Sequence, residues 1–459
     1  MKEDGNPVEE EVPSTQAYAS ELSWFQAVKK LLSNRNWSIF LSTVWIYSSM
    51  VVVYEYFTLY FRDVGISYIM TGALFSFMFA INVVGNFISG YLVDNYDRRN
   101  LSVITMITPG IFFLTVSLTT DVFIIALAIL IGGIGSLTTG AGEAYQMQQV
   151  DREFSGVAQS MFRLGTSLGI IPLYFFALML DLGMSFVVLM QVTLFIAAIL
   201  QFICAIIRAT GMEQLPLPKR KTQSDDLLKD FISENIRGLR LLVRVFPIFI
   251  VVICIDALSD SFYSFSKNYF VNETLEFGYA EINLMILITL AFSVPLALAV
   301  GRVFDKRGGQ GLTLAVYSLM PVSIFLLILS QDIRYIAPTT WVNSLDSIYP
   351  GLSVVLSLAF IATAIKSVND ILWATILSSY IQRSMPRSDF GKMLALSSVL
   401  VSIFVAMGPI PAGIIYTNWQ GLPLLVIILI LNAILLFVLA TRSLEPRMSI
   451  EELEAEGLY

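Results

Sequence analysis

The sequence predicts an all-α membrane protein, twelve transmembrane helices in two pseudo-symmetric six-helix bundles. Three observations carry that prediction. Of 459 residues, 56% are hydrophobic and only 14% charged, whereas a soluble domain carries about 25% charged residues. A single water-surrounded core could not hide so much apolar surface, which leaves lipid as the solvent. Twelve runs reach the roughly 20 mostly apolar residues that cross a bilayer. Finally, one short box occurs twice. Gly90-Tyr91-Leu92-Val93-Asp94-Asn95-Tyr96-Asp97-Arg98-Arg99 closes one apolar run, and Gly301-Arg302-Val303-Phe304-Asp305-Lys306-Arg307-Gly308-Gly309 closes another, 211 positions later. Each reads Gly, three residues, Asp, then a basic cluster. A box recurring at that distance means two similar halves, and a duplicated membrane protein is most often a transporter.

The elements follow in order. Residues 1–36 form a polar N-terminal tail with Glu3, Asp4, Glu9, Glu10 and Glu11, and no basic-then-apolar signal sequence. The first bundle takes 37–208, with spans at roughly 37–61, 68–93, 101–119, 122–147, 157–180 and 184–208. Residues 209–245 are the one long polar connection, a central loop with Pro216, Pro218, Lys219, Arg220 and Lys221. From Asp226 to Arg244 its apolar residues recur at helical spacing, as in an amphipathic helix on the membrane surface. The second bundle takes 246–441, with spans at roughly 246–270, 279–303, 312–331, 351–380, 392–416 and 421–441. An acidic tail, 442–459, closes the chain. The halves also agree in Tyr60-Phe61 and Tyr269-Phe270, which end the first and seventh spans.

Lys and Arg fix the expected orientation. With the N-terminus cytoplasmic, only Arg62, Lys267 and Arg334 fall outside, while Arg163 and Lys366 fall within spans. All other basic residues are then cytoplasmic, as are both termini, in a multi-pass protein of the cell membrane. The net charge of −7 lies partly in the tails, and no nucleic-acid partner is expected. Cys204 and Cys254 sit inside apolar runs and indicate no disulfide framework. There is no histidine, so proton chemistry near neutral pH falls to carboxylates in altered environments.

Six spans, a central loop, six spans and a Gly-x-x-x-Asp-basic box after spans 2 and 8 together resemble the major facilitator superfamily, over nearly the whole chain. Gly301, Asp305, Lys306 and Gly308 match the family box. The first copy departs from it: Asn95 replaces the usual basic residue, Asp97 stands where Gly is expected, and Arg98 and Arg99 restore the basic end. Gly165, Gly169 and Pro172 loosely resemble the Gly/Pro-rich fifth helix of the family's antiporters. The resemblance implies two bundles rocking about a central site lined by spans 1, 4, 7 and 10. It also implies a conformational latch at the boxes: Gly90, Asp94, Arg98, Arg99, Gly301, Asp305, Lys306 and Arg307. The alternative is a plain helix stop with solvated charges. Glu143 is expected to join that latch by pairing with Arg98, Arg99 or Arg163, or else to bind substrate or a proton. Arg163 is a structural partner or an anion contact.

Charges at membrane depth are costly and usually face a cavity or a partner. Asp256 and Asp260 are spaced i, i+4 in span 7 and share a helical face. Two carboxylates so close, in low dielectric, resist both being ionised, as a proton-coupling site requires. The alternative is a structural pair for Lys366. Lys366, Asn369, Asp370 and Trp373 lie together in span 10, where Lys366 and Asp370 can also neutralise each other. Glu55 stands in span 1 among Tyr54, Tyr56 and Tyr60, as a coupling carboxylate or as part of an outer vestibule. Those tyrosines serve as a binding surface or an interface belt.

The chain has no Gly-x-x-x-x-Gly-Lys loop for ATP, no His/Cys/carboxylate cluster with metal spacing and no nucleophile–base pair. The reading is a secondary active transporter of a small organic solute, without cofactor or metal, not an enzyme, and monomeric. It works by alternating access, coupled to protons, with sodium as the other coupling ion. A multidrug efflux antiporter and a transporter-like sensor that moves nothing are the alternatives.

Overall fold

The computed structural model describes residues 24–138, 167–214, 227–292, 310–384, 390–442 and 444, with positions 145, 149–150, 157–158, 161–162 and 165 between them. Among the described residues the helices are joined by turns and short irregular connections, and the one β-type pairing is an isolated bridge, Tyr335 to Ser357. A short helix, α1 (Trp24–Ser33), comes first and buries Ala27 and Leu31 against Trp37 and Phe40. Asn34 then caps the first span, its side chain accepting from Trp37 N.

The first span is broken. α2 (Arg35–Val51) passes into a 3₁₀ stretch, Val52–Tyr56, before α3 (Phe57–Asp63) completes the crossing. Four further segments follow: α4 (Tyr68–Asn95), α5 (Arg98–Leu118), α6 (Val122–Ile134) and α7 (Ile170–Asp181). α8 (Phe186–Gly211) is the sixth span. α9 (Leu227–Val245) lies in the central connection and alternates apolar and charged faces. The second half holds α10 (Pro247–Tyr269), which ends in a π-turn at Phe270–Thr274, and α11 (Tyr279–Phe292). Then come α12 (Gln310–Leu329), α13 (Thr339–Ile348), α14 (Leu358–Ser384), α15 (Phe390–Met407), α16 (Pro409–Trp419) and α17 (Gly421–Thr441).

Eight of the described helical segments are long and apolar enough to cross a membrane, and Val122–Thr138, Ile170–Asp181 and Tyr279–Phe292 are shorter apolar helices. With α14, they occupy the twelve places read from the sequence. Two details differ from that reading. The tenth span starts at Leu358, because Gly351 takes a left-handed turn (φ 80°) and Leu352–Leu356 form a 3₁₀ segment instead. The eleventh span is two helices, α15 and α16, which break at Gly408-Pro409, where proline removes a backbone donor. The exposed helix α13 was not legible in the sequence at all.

The core divides unevenly. At one end a single aromatic-rich cluster joins both halves, with Tyr56, Phe57, Tyr60 and Phe61 packed alongside Phe262, Tyr269 and Phe270. Away from that end the buried residues fall into smaller, separate clusters. One gathers Trp37, Phe40, Tyr145 and Met212; another gathers Phe246, Phe249, Tyr317 and Leu435. The halves are therefore joined at the end carrying Asp63 and Thr274.

Helix α4 crosses from the first half onto α15 and α16 of the second. Two glycines make the crossing close. A Cβ on Gly72 would stand 2.3 Å from the Pro409 carbonyl oxygen, and one on Gly413 would stand 2.5 Å from that of Tyr68. Gly72→Val should therefore lower stability by about 1–3 kcal/mol through overpacking against rigid backbone. Fluorescence-detected unfolding of the detergent-purified protein measures this. Gly311→Ala, where nothing lies within 4 Å, is the neutral control; an equal loss in both variants contradicts the close crossing.

A central charged cavity and the seam that closes it

A cavity of about 600 Å³ lies between the halves. The first span supplies Ser48, Val51, Val52, Tyr54 and Glu55, and spans 7, 8 and 10 supply the rest. The described part of span 4 lines instead a second cavity of about 380 Å³, through Ile129, Gly132 and Ser136. Tyr54 lies on both cavities. Its ring is held parallel to that of Phe112 at 6.2 Å.

Five charges line the main cavity: Glu55, Asp260, Lys267, Lys366 and Asp370. They form two groups. Lys267 Nζ bonds Glu55 Oε2 at 2.8 Å. Lys366 Nζ lies 2.9 Å from Asp260 Oδ1 and also bonds Asp370, one turn along its own helix. The Tyr263 ring lies beside it, 5.2 Å from Nζ to centroid. Side-chain exposure separates the signs. Glu55, Asp260 and Asp370 are 47%, 39% and 48% exposed, whereas Lys267 and Lys366 are 18% and 4% exposed. The carboxylates face the space and the lysines stand behind them.

Asp256 does not share that environment. It is buried and turned toward spans 9 and 10. Its Oδ1 lies 3.0 Å from the Tyr317 hydroxyl and its Oδ2 accepts from Trp373 Nε1 at 2.8 Å. Lys366 pairs with Asp260 and Asp370 rather than with Asp256. The shared face predicted for Asp256 and Asp260 thus divides, one carboxyl into packed protein and one into the cavity. Asn369 is also buried, and its Oδ1 has no hydrogen-bond partner among the described residues.

A polar seam closes the cavity at one end and runs along spans 1 and 7. Asn268 Nδ2 donates to the Glu55 backbone oxygen, and the Tyr269 hydroxyl donates to the Thr58 oxygen at 2.8 Å. Arg62 Nη1 bonds Glu273 Oε1 at 2.7 Å. Contacts at 55, 58 and 62 on one helix meet 268, 269 and 273 on the other, so the two run parallel in register. Around the last pair, Tyr68 and Tyr416 both donate to Glu273, at 2.9 and 3.0 Å. Arg62 Nη2 donates to the Tyr279 hydroxyl at 2.8 Å, and that hydroxyl donates to Asp63. One layer deeper, the Tyr56 hydroxyl donates to Asn283 Oδ1, and Asn283 Nδ2 donates to the Leu173 oxygen. Tyr56 and Tyr60 thus belong to the core and not to an interface belt.

The predicted latch is only partly in view. Gly90 and Asp94 fall in the last turns of α4. Asp97 caps α5, its Oδ1 accepting from Arg99 N at 2.9 Å. Arg98 opens that helix, and Arg99 Nη1 reaches the Met212 oxygen at 3.4 Å. Glu143, Arg163, Gly301, Asp305, Lys306 and Arg307 lie outside the described residues. Sequence reading missed Glu273, Asn268, Asn283, Tyr317 and Asn432. One signal was available: Arg62 and Glu273 are 211 positions apart, the same offset as the two boxes.

Two helical halves around a charged cavity, joined at one end, define an integral, multi-pass membrane transporter. The Major Facilitator Superfamily pattern matches residues 37–369, and the chain belongs to that family. Solved structures share the fold at low identity. The nucleoside transporter NupG aligns with a TM-score of 0.65 at 14% identity, over 88% of this chain and 98% of that one. A D-xylose-proton symporter aligns at 0.61 and 13%, over 91% and 97%. A POT family transporter in complex with 5-aminolevulinic acid aligns at 0.62 and 14%, over 88% and 95%. No curated protein sequence matches significantly.

The seam yields a direct test. Glu273→Gln removes the charge that Arg62, Tyr68 and Tyr416 share and should loosen the closed end. A cysteine replacing Thr363 in the cavity wall, with Cys204 and Cys254 changed to Ser, should then label several-fold faster with a membrane-impermeant thiol reagent applied from the seam side. An unchanged labelling rate means that the seam does not hold this end shut.

Proposed function

We propose that this protein is a secondary active transporter that moves a small organic solute by alternating access, driven by the proton gradient. The observation that carries the reading is the central cavity, walled by charges from both halves and closed at one end by a seam of polar contacts over an aromatic joint. A volume of about 600 Å³ falls within the ~300–1,000 Å³ of small-molecule sites. The exposed carboxylates of Glu55, Asp260 and Asp370 favour a solute that carries an ammonium group or several hydrogen-bond donors. Three cavity carboxylates face two lysines, so one negative charge is left for a proton or a cationic solute to neutralise. Competition for that charge would couple the two movements.

The reading keeps 37–208 and 246–441 as the two rocking bundles. The tails 1–36 and 442–459 and the central loop 209–245 are cytoplasmic, in a monomer of the cell membrane. The Lys and Arg asymmetry supports that orientation. The seam then lies on the outer face and this conformation opens inward. Gly90, Asp94, Arg98 and Arg99, with Gly301, Asp305, Lys306 and Arg307, latch the inner ends in the opposite state, joined by Glu143 and Arg163. A protease confined to the outside of sealed cells should accordingly leave 215–225 intact; cleavage there would invert the topology.

Proteoliposomes test the function itself. An imposed pH gradient should drive uphill accumulation of an amine or zwitterion from a solute panel, and a protonophore should abolish it. Accumulation driven by a sodium gradient alone would replace the proton as coupling ion. Tight binding without flux would make the protein a sensor. Asp260→Asn should lose uphill accumulation by at least about tenfold, a difference of ~1.4 kcal/mol, yet retain solute exchange. Unimpaired uphill transport in that variant moves the coupling away from Asp260.

A further inference from the structure

The hydrogen count around Asp256 does not close if its carboxyl is ionised. The Tyr317 hydroxyl lies 3.0 Å from Asp256 Oδ1 and 2.7 Å from Asn432 Oδ1. Both are oxygen acceptors, and a tyrosine has one proton to give. The Asn432 amide cannot be turned over to supply a second. Its Nδ2 is 2.8 Å from the Ile428 carbonyl oxygen and 2.6 Å from Ser259 Oγ. Turning the amide would set oxygen against a carbonyl that only accepts. The shorter contact takes the tyrosine proton, so the bond to Asp256 needs a proton from Asp256.

We propose that Asp256 is a proton-binding site separate from the cavity carboxylates, holding a neutral carboxylic acid in this conformation. Its O–H donates to Tyr317 Oη, the Tyr317 hydroxyl donates to Asn432 Oδ1, and Asn432 donates to Ser259 and Ile428. Trp373 Nε1 donates to the remaining Asp256 oxygen. The Tyr317 hydroxyl and the Asn432 amide then have a donor facing an acceptor at each contact, and all five side chains are buried. The surrounding charges agree. Asp260 follows one turn on the same helix. From span 10, Lys366 is committed to Asp260 and Asp370. Span 9 presents Tyr317 and span 12 presents Asn432. Among the described residues no ion pair includes Asp256.

Loss of the proton has a defined consequence. It leaves Asp256 as an acceptor only, so the Tyr317 proton swings to it and the Asn432 oxygen loses its donor. Protonation of one carboxyl on span 7 thereby changes the bond between spans 9 and 12.

This is independent of the proton-coupled reading and is tested apart from transport. Infrared spectra of the full-length protein in nanodiscs, exchanged from H₂O to D₂O, report the C=O stretch of a protonated carboxylic acid. Wild type should show a buried band at neutral pH. Asp256→Asn should remove it, while Asp260→Asn and Asp370→Asn should keep it. Tyr317→Phe should shift it to higher frequency, since the acid loses its acceptor. A band removed by Asp260→Asn and kept by Asp256→Asn overturns the proposal, as does the absence of any band. Stability gives a second test. An amide replaces a neutral acid donor for donor, so Asp256→Asn should unfold near the wild-type temperature and Asp256→Leu well below it. Equal loss in both means an ionised Asp256 and overturns the assignment. A band at Asp256 in a protein whose flux ignores pH refutes proton coupling and leaves the bound proton standing; coupled flux with no such band does the reverse.

Discussion

The register between spans 1 and 7 is the constraint on which the rest of the structure depends. In lipid, apolar contact between helices gains little over contact with acyl chains, so packing geometry and polar bonds set alignment. Phe57, Phe61 and Phe270 fill the joint, yet rings alone would tolerate a slip along the helix. Glu55 to Lys267, Thr58 to Tyr269 and Arg62 to Glu273 do not. They also explain the local breaks in both helices. Within the 3₁₀ stretch at Val52–Tyr56 the Glu55 carbonyl accepts from Asn268. The π-turn at Phe270–Thr274 carries Glu273 to Arg62. Irregular backbone at this depth persists because protein groups satisfy it.

The cost of placing charge in the membrane shapes the second half. Lys366 is almost wholly buried, which is tolerable only because two carboxylates and a tyrosine face surround it. The same need explains why α14 is missing from the helices that qualify as spans on length and composition. Its centre carries Lys366, Asn369 and Asp370. Where local pattern and global fold disagree in this way, the residues responsible belong to the site.

The sequence disclosed the helices because apolar length is a local property, and it disclosed the duplication because the boxes repeat in type and spacing. It disclosed the charged residues of spans 1, 7 and 10 because a carboxylate or ammonium stands out in an apolar run. Their pairing was only half legible. Lys366 with Asp370 follows from i, i+4 spacing, but the divergence of Asp256 from Asp260 depends on Tyr317, 61 residues from Asp256, and on Asn432, 115 residues beyond Tyr317 along the chain. A tyrosine and an asparagine in apolar helices carry no mark of such a role. The seam hid for another reason. Arg62 and Glu273 stand 211 positions apart, the offset of the two boxes, with opposite charge, so a search for repeated residues passes over them, whereas a search for complementary ones would not.

Opening the seam in the proposed cycle separates span 1 from span 7 and strips Lys267 from Glu55. Breaking a buried pair by removing one partner costs about 3–5 kcal/mol, and less where, as here, the carboxylate is half exposed to the cavity. Two states that interconvert under a ligand's influence must lie within a few kcal/mol of each other. Something must therefore replace Lys267 at Glu55 as the helices part. Water alone does so poorly in a narrowing cavity, whereas a proton or a cationic group on the solute does so well. The seam then acts as more than a closure. Its ion pair makes the empty carrier costly to open toward that side, and the cargo or the proton lowers that cost by taking the lysine's place.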